Sequence, residues 1–334
     1  MMQNFDVYGL GNALLDVVYQ VSEDFLTTHH LQKGRMALVD EATLQEMQNW
    51  ELPTPQMSSG GSAANSMIAL AMLGGTAYYA CQVAPDDAGK TYLSDLQKVG
   101  VTPPGLPDAT NYQGPLTGRC IVLVTPDAER TMYTYLGACT NLEANLIQAK
   151  DLQQAQVVYL EGYLTAQPGA LKAIRQAVQL AKDFHKPLAL TFSDVNIIEQ
   201  HRAVLDEIIQ SKKLAYLFCN EQEALAYTNT ADLKSAAKHL QMCATQVAIT
   251  LGPQGVYLVP EDKLIKAPQV NAIDTNGAGD MFAGCFLYGI THQWPLEKAA
   301  ELGCAAAAYL TTQYGARLSQ EDLLQQKQII AKNL

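Results

Sequence analysis

Residues Ile273-Asp274-Thr275-Asn276-Gly277-Ala278-Gly279-Asp280-Met281-Phe282, IDTNGAGDMF, form a run of small residues that ends in an acid and opens into an apolar helix. The first N–H groups of a helix have no internal partner and carry the positive end of its dipole, so small residues there form a cradle for an anion. Asn276, Gly277, Ala278 and Gly279 let successive backbone N–H groups converge as a nest. Asp280 then has two readings. One is an ordinary N-cap on a tight strand-to-helix turn. The other is a base beside the nest. Phosphoryl transfer needs both parts: donors for the charge on the transferred group, and a base for the proton of the acceptor hydroxyl.

Upstream of this turn, from about residue 150, short β-branched or aromatic runs alternate with helical patterns. VVYLEGYL, PLALTF, AYLFCN and QVAITLG read as strands; PGALKAIRQAVQLAKDF, AVLDEIIQS, EQEALAY and ADLKSAAKHLQ read as helices. This alternation predicts an α/β fold with a mostly parallel sheet covered by helices on both faces. In the first third, FDVYGLG and AYYACQVA read as further core strands, and NSMIALAMLGG and GKTYLSDLQKVG as helices ended by glycine. LLDVVYQV and RCIVLVTPDAERTMYTYLGA alternate with period two, which predicts strands with one wet face. They place a second, smaller sheet at about 12–46 and 110–140, set as a lid on a single catalytic domain spanning 1–334. Ligands of open α/β sheets bind beyond the carboxyl ends of the strands, where such a lid closes.

The composition narrows the function classes. A chain of 334 residues with 48% hydrophobic residues builds an ample core. A formal net charge of -11 removes the general electrostatic basis for binding nucleic acid. Seven cysteines, odd in number and never in a C-x-x-C pair, argue against a disulfide framework and a zinc knuckle. The N-terminal MMQNFDVYGLGNALLD lacks a basic stretch and meets Asp6 early, unlike a signal peptide. No segment approaches the ~18 uncharged apolar residues of a membrane span. The expectation is a soluble cytoplasmic chain with reduced thiols.

Three near-matches fail on physical grounds. GLGNAL has Leu14 at the third glycine of a dinucleotide fingerprint, and a period-two run follows it where a helix is needed. APDDAGKT would aim Asp86 and Asp87 at a nucleotide, and reads better as an acid-capped helix start. GGSAAN lacks the last glycine of a nucleophile elbow. None of the six histidines stands in a context that suggests a hydrolase or zinc site.

With these set aside, the chain resembles the ribokinase or pfkB family of carbohydrate kinases along essentially its whole length. DTNGAGDMFAGCFLYGI resembles that family's C-terminal signature and SGGSAANSMIALAMLGG its N-terminal one; GNALLD, PDDAGKTYLSDLQKVGV, NEQEA and TLGPQGV follow in the family's order. Within the family the likeness is greatest to bacterial adenosine kinases. The resemblance implies a ribokinase-like fold, ATP and Mg2+ as cofactors, and transfer to the 5′-hydroxyl of adenosine. Asp280 is then the base, and Gly277, Ala278 and Gly279 the anion hole. Asp16 is implied to grip two sugar hydroxyls, with Asn12, Gly60, Gly61, Ser62 and Asn65 completing the acceptor site. Asn220 and Glu223 match N-x-x-E, which helps place phosphate and a water-linked Mg2+. Thr250, Gly252 and Gly255 lie on the nucleotide side, and Asp274 and Thr275 match positions tied to a monovalent cation such as K+ in some relatives. Each has a plainer reading: a strand acid for Asp16, a cap and a solvated glutamate for Asn220 and Glu223, a hairpin for the glycines.

The residues themselves bear on specificity. Met132, Thr134 and Leu136 share one strand face and, with Leu14 and Leu38, outline an apolar slot for a purine; as readily, such a stripe is core. Arg130 starts that strand and meets phosphate charge or solvent. Glu161 falls where sugar kinases of the family carry a polar acceptor contact, and Ala63 and Ala64 replace polar residues of the animal adenosine kinases. Inosine, guanosine, ribose and fructose are the rival acceptors. A non-catalytic nucleoside- or sugar-binding regulator is the rival class, but it has no need of Asp280 beside a nest. A monomer and a homodimer joined through an open edge of the smaller sheet both fit the sequence.

Overall fold

Runs that are apolar at every position become the inner strands of a large sheet. The computed structural model describes residues 4–127 and 129–332. Among them the strands are β1 (Phe5–Leu10), β2 (Leu14–Gln20), β3 (Met36–Leu38), β4 (Gln56–Gly60), β5 (Ala77–Ala80), β6 (Val101–Thr102) and β7 (Gly118–Val124). They continue with β8 (Arg130–Tyr135), β9 (Ala155–Glu161), β10 (Leu188–Thr191), β11 (Leu214–Asn220), β12 (Ala244–Thr250), β13 (Val256–Val259) and β14 (Lys263–Ile265). Nine form one sheet in the order β14-β13-β12-β11-β10-β9-β1-β5-β6. It is parallel from β6 to β12 and closes with an antiparallel hairpin at β13 and β14. This is the ribokinase-like α/β architecture.

The two faces of this sheet feed two separate cores, because successive strand residues point to opposite sides. Val7, Tyr79, Val157 and Tyr159 enter one core together with the helices Ser62–Met72, Ala278–Thr291 and Leu296–Leu310. Tyr8, Leu10, Val158 and Leu160 enter the other, under the helices Leu171–Asp183, Val195–Ser211 and Leu233–Leu240. The expected helix stops are present. Gly74 N–H bonds to Ala71 C=O at 2.9 Å and Gly75 N–H to Leu70 C=O at 3.0 Å, the paired bonds of a Schellman end. Asp86 caps Asp87–Lys98 by accepting the Gly89 N–H at 2.7 Å, so APDDAGKT is a capped helix start. All seven cysteines are free. No helix among the described residues is long and apolar enough to cross a membrane.

Five strands form the second sheet, in the order β3-β8-β7-β2-β4. Three, β2, β7 and β8, come from the period-two segments, and β3 lies within the stretch 12–46. The fifth, β4, has the sequence QMSSG, too short and polar for a pattern to reveal it. Leu15, Val17, Ile121, Leu123, Tyr133 and Tyr135 turn one face of this sheet into the first core. Register puts Leu14, Asp16, Ser58, Gly60, Cys120, Met132, Thr134 and Leu38 on the opposite face, since directly paired residues share a side.

Helix Ala278–Thr291 crosses helix Ser62–Met72 at very short range. A Cβ on Gly284 would stand 2.3 Å from Ser66 O and 2.9 Å from Ala69 Cβ. Backbone cannot be moved by choosing another rotamer, so Gly284→Ala must part the helices. Overpacking at about 1–3 kcal/mol outweighs the roughly 1 kcal/mol of helix propensity that alanine brings. Thermal unfolding of Gly284→Ala is expected to show a midpoint a few degrees lower than wild type; an equal or higher midpoint contradicts the close crossing.

Candidate active site

The parallel strands bring the expected residues to one edge of the sheet. Asn12 and Asp16 follow the carboxyl end of β1, Glu161 ends β9, Asn220 ends β11 and Thr250 ends β12. The crossing of the two helices then sets their N-terminal ends together there.

Asp280 lies in the first turn of Ala278–Thr291, behind the N-cap Gly277, which has φ 74°. A side chain at Gly277 is excluded twice over, since a Cβ would also lie 2.8 Å from the Ala316 Cα. Asp280 Oδ1 accepts the Ser62 hydroxyl at 2.6 Å, and Oδ2 accepts the Asn65 amide at 3.2 Å. Burial pushes the Asp280 carboxyl up to about 7, although these two donors pull it down. A carboxylate with that value at neutral pH is a competent proton acceptor. Within the nest, Ala278 N–H turns back to Thr275 C=O at 3.2 Å, while the space beside Gly279 is open for at least 4 Å.

Asp16 lies opposite, on the open face of the smaller sheet. A Cβ on Gly60 would stand 2.5 Å from Asp16 Oδ2, so glycine is what allows the carboxylate to lie over the end of β4. Burial lifts the Asp16 carboxyl to about 6 against the pull of Arg317 and, less strongly, Arg130. Met132, Leu136 and Leu14 are partly exposed beside it, Thr134 is buried, and Leu38 is 66% exposed. Met132 and Thr134 share one face of β8, in register with Leu38 on β3, while Leu136 falls just past the end of β8 at the start of the turn Gly137–Asn141.

Glu161, expected as an acceptor contact, is enclosed at 1% exposure. Its Oε1 accepts the Asn12 N–H at 2.7 Å and its Oε2 accepts the Ala63 N–H at 2.8 Å. Both oxygens are taken by backbone, so Glu161 works as a staple beneath the site that ties the β1–β2 connection to the start of Ser62–Met72. Burial raises its carboxyl to about 8 despite the two donors, with the Asp280 charge adding to the rise. Asn12 is held at two further atoms: its carbonyl accepts Tyr79 Oη–H at 2.9 Å and its Oδ1 accepts Gln167 Nε2 at 2.7 Å.

Asn220 and Glu223 form a capping box: Asn220 Oδ1 accepts the Glu223 N–H at 2.8 Å, and Glu223 Oε2 accepts the Asn220 N–H at 3.0 Å. Glu223 is nevertheless buried, and desolvation pushes it up to about 7 with the Asp194 charge contributing. The phenol of Tyr163, raised first by burial, also lies in the field of Asp194, Asp280, Glu161 and Glu223. Register pairs Asn220 with Thr250, and Gly252 and Gly255 turn the chain from β12 into β13. At the start of the nest loop, Asp274 is committed: Oδ2 accepts Arg130 Nη1 and the Gly315 N–H, each at 2.9 Å, and Oδ1 accepts the Asn276 N–H at 2.9 Å. Sequence reasoning missed Arg317, Asp95 and Ser59, which interlock under Asn65.

Comparison with known proteins identifies the family. The model of the pfkB family of carbohydrate kinases matches residues 35–323. A solved adenosine kinase from Sinorhizobium meliloti is 33% identical and superposes with a TM-score of 0.85 over 98% of this chain and 99% of its own. The adenosine kinase of Saccharomyces cerevisiae is 27% identical over 94% of this chain and 97% of its own length. The ribokinase of Haemophilus influenzae is 28% identical over 79% of this chain and 84% of its own. A base candidate seated at a helix N-terminus, on a chain matched from end to end by such relatives, leaves one assignment: the chain belongs to the pfkB family of carbohydrate kinases and is an adenosine kinase-like enzyme.

Proposed function

We propose that the chain transfers the γ-phosphoryl group of ATP to the 5′-hydroxyl of adenosine, a reaction of purine salvage in the cytoplasm. The observation that carries this reading is Asp280, raised to about 7 and held by Ser62 and Asn65 in the first turn of a helix. Asp280 takes the proton of the attacking hydroxyl. The amides of Gly277 and Gly279, joined by that of Ala278 once it leaves the Thr275 carbonyl, receive the charge of the phosphoryl group in flight. Asp16 accepts two ribose hydroxyls, with Asn12, Gly61 and Asn65 shaping the site, and the apolar wall of Leu14, Leu38, Met132 and Leu136 covers the base. The smaller sheet acts as a lid that excludes water from the transfer.

Thr250, Gly252 and Gly255 border the nucleotide. No three His, Cys, Asp or Glu side chains among the described residues gather so as to hold a metal by themselves. Glu223, implied to meet phosphate-bound Mg2+ through water, has both oxygens on Asn220, with Oε2 accepting its N–H at 3.0 Å and Oε1 its Nδ2 at 2.8 Å, so in that role it would reach the water through the second lone pair of either oxygen. When bound, Mg2+ neutralises phosphate charge. At Asp274 and Thr275, where the resemblance implies a monovalent cation, the Asp274 carboxylate already accepts Arg130 Nη1, the Gly315 N–H and the Asn276 N–H, so its side chain has one lone pair left to offer.

Coupled ATP-turnover assays over adenosine, inosine, guanosine, ribose and fructose are expected to give the highest kcat/KM with adenosine; the likeness to ribokinase makes a preference for ribose the result that would displace this reading. Asp280→Asn is expected to lower turnover at least ~10²-fold with an unchanged unfolding midpoint, and near-normal turnover would remove Asp280 from the role of base. Substrates lacking the 2′- or 3′-hydroxyl should lose efficiency by at least ~10²-fold, because Asp16 would be left partly buried without its partners. Equal efficiency would separate Asp16 from the ribose.

A further inference from the structure

Arg317 belongs to no motif. It lies in the turn after helix Leu296–Leu310, yet its guanidinium reaches the floor of the site. Nε donates to Asn65 Oδ1 at 3.4 Å, Nη1 to Asp95 Oδ2 at 3.1 Å and Nη2 to Ser59 Oγ at 2.9 Å. Ser59 closes the circuit by giving its N–H and its hydroxyl to Asp95 Oδ2 at 2.8 and 2.6 Å. Asp95 is consequently held below its ordinary value: burial opposes this, but the Ser59 donors and Arg317 outweigh it.

The chemistry of the guanidinium decides which way Asn65 faces. Arginine has donors and no acceptor, so the amide end that meets it must be the oxygen. The amide NH2 is thereby turned to Asp280 Oδ2, 3.2 Å away. A reversed amide would set its carbonyl against the Asp280 carboxylate. We propose that Arg317 is a positioning residue of the kinase, which turns the Asn65 amide onto Asp280 and supplies positive charge beneath Asp16. The proposal rests on the reading of Asp280 as the base.

The surrounding groups fit this assignment. Facing Asp280 are Ser62 and Asn65 from their helix, Glu161 and Tyr159 from β9, and Tyr163 just beyond it. None of these is a cation. Facing Arg317 are Asp95 and Tyr92 from helix Asp87–Lys98, Ser59 from β4 and Asp16 from β2. Asp16 also meets Arg130 from β8 and Cys120 from β7, and Arg317 is the larger of its two positive influences. Losing Arg317 therefore acts on both acids in one direction, toward protonation.

The test compares Arg317→Met, Arg317→Lys and Asp95→Asn in the full-length enzyme, measuring kcat and acceptor KM across pH 5.5–9 together with the unfolding midpoint. Arg317→Met is expected to move the acid limb of kcat/KM up by about one pH unit and to raise acceptor KM about tenfold near neutrality, with kcat recovering at high pH. Arg317→Lys should restore KM but leave the limb displaced, since one ammonium cannot bridge three separated oxygens. Asp95→Asn, which leaves Arg317 in place but loosely anchored, should displace the limb less and in the same direction, and carries the test if Arg317→Met does not fold. A wild-type limb and KM in these variants, or a pH-independent loss of rate that follows the unfolding midpoint, overturns the proposal. Failure of the underlying reading shows separately, as an Asp280→Asn enzyme that still turns over.

Discussion

The close crossing of helices Ser62–Met72 and Ala278–Thr291 is the contact on which the rest of the site depends. It exists because Gly284 presents no side chain to the Ser66 carbonyl. Its consequence appears one turn earlier, where Asp280 meets Ser62 and Asn65. Two helix N-termini converge on one cleft, and each brings unpaired N–H groups to a place that also holds carboxylates. Burial would discharge those carboxylates by protonation. Ser62 and Asn65 offset it in part at Asp280, and the charges of Arg317 and Arg130 do so at Asp16, leaving Asp280 near 7 and Asp16 near 6, values at which a small change of environment decides whether each is charged.

A second staple supports the first. Glu161 spans the backbone of Asn12 and the backbone of Ala63, so the strand that carries Asp16 and the helix that carries Asn65 are held by one buried side chain. Arg317 performs the corresponding task from the other side, through Asn65, Ser59 and Asp95. The acceptor carboxylate and the base therefore share their supports. Preorganisation of this kind lets donors act on developing charge without reorganising at the moment of transfer.

What was legible in the sequence is what is local in the chain. IDTNGAGDMF and GGSAAN could be read because turn chemistry and a helix start confine their residues to a few positions, and N-x-x-E because a capping box closes over one turn. The alternation of strands and helices gave the parallel sheet for the same reason. The supports were not legible. Arg317 meets Asp95 and Ser59 across 222 and 258 positions, and each stands among residues that read as a solvated face or a loop. Glu161 sat in a visible motif, but nothing local says that both its oxygens go to backbone more than ninety positions away. The strand β4 escaped because QMSSG has no alternation to detect, and the pairing of Asp274 with Arg130 escaped because Arg130 lies 144 positions away on the smaller sheet.

The most direct test of the account is the single-turnover rate of phosphoryl transfer from labelled ATP to adenosine, followed from pH 5.5 to pH 9. With Asp280 as the base, labelled AMP forms, and the rate rises with pH through one ionisation near 7, falling below it as the carboxylate takes up its proton. No transfer to adenosine, or a rate flat across this range while chemistry is limiting, would contradict it.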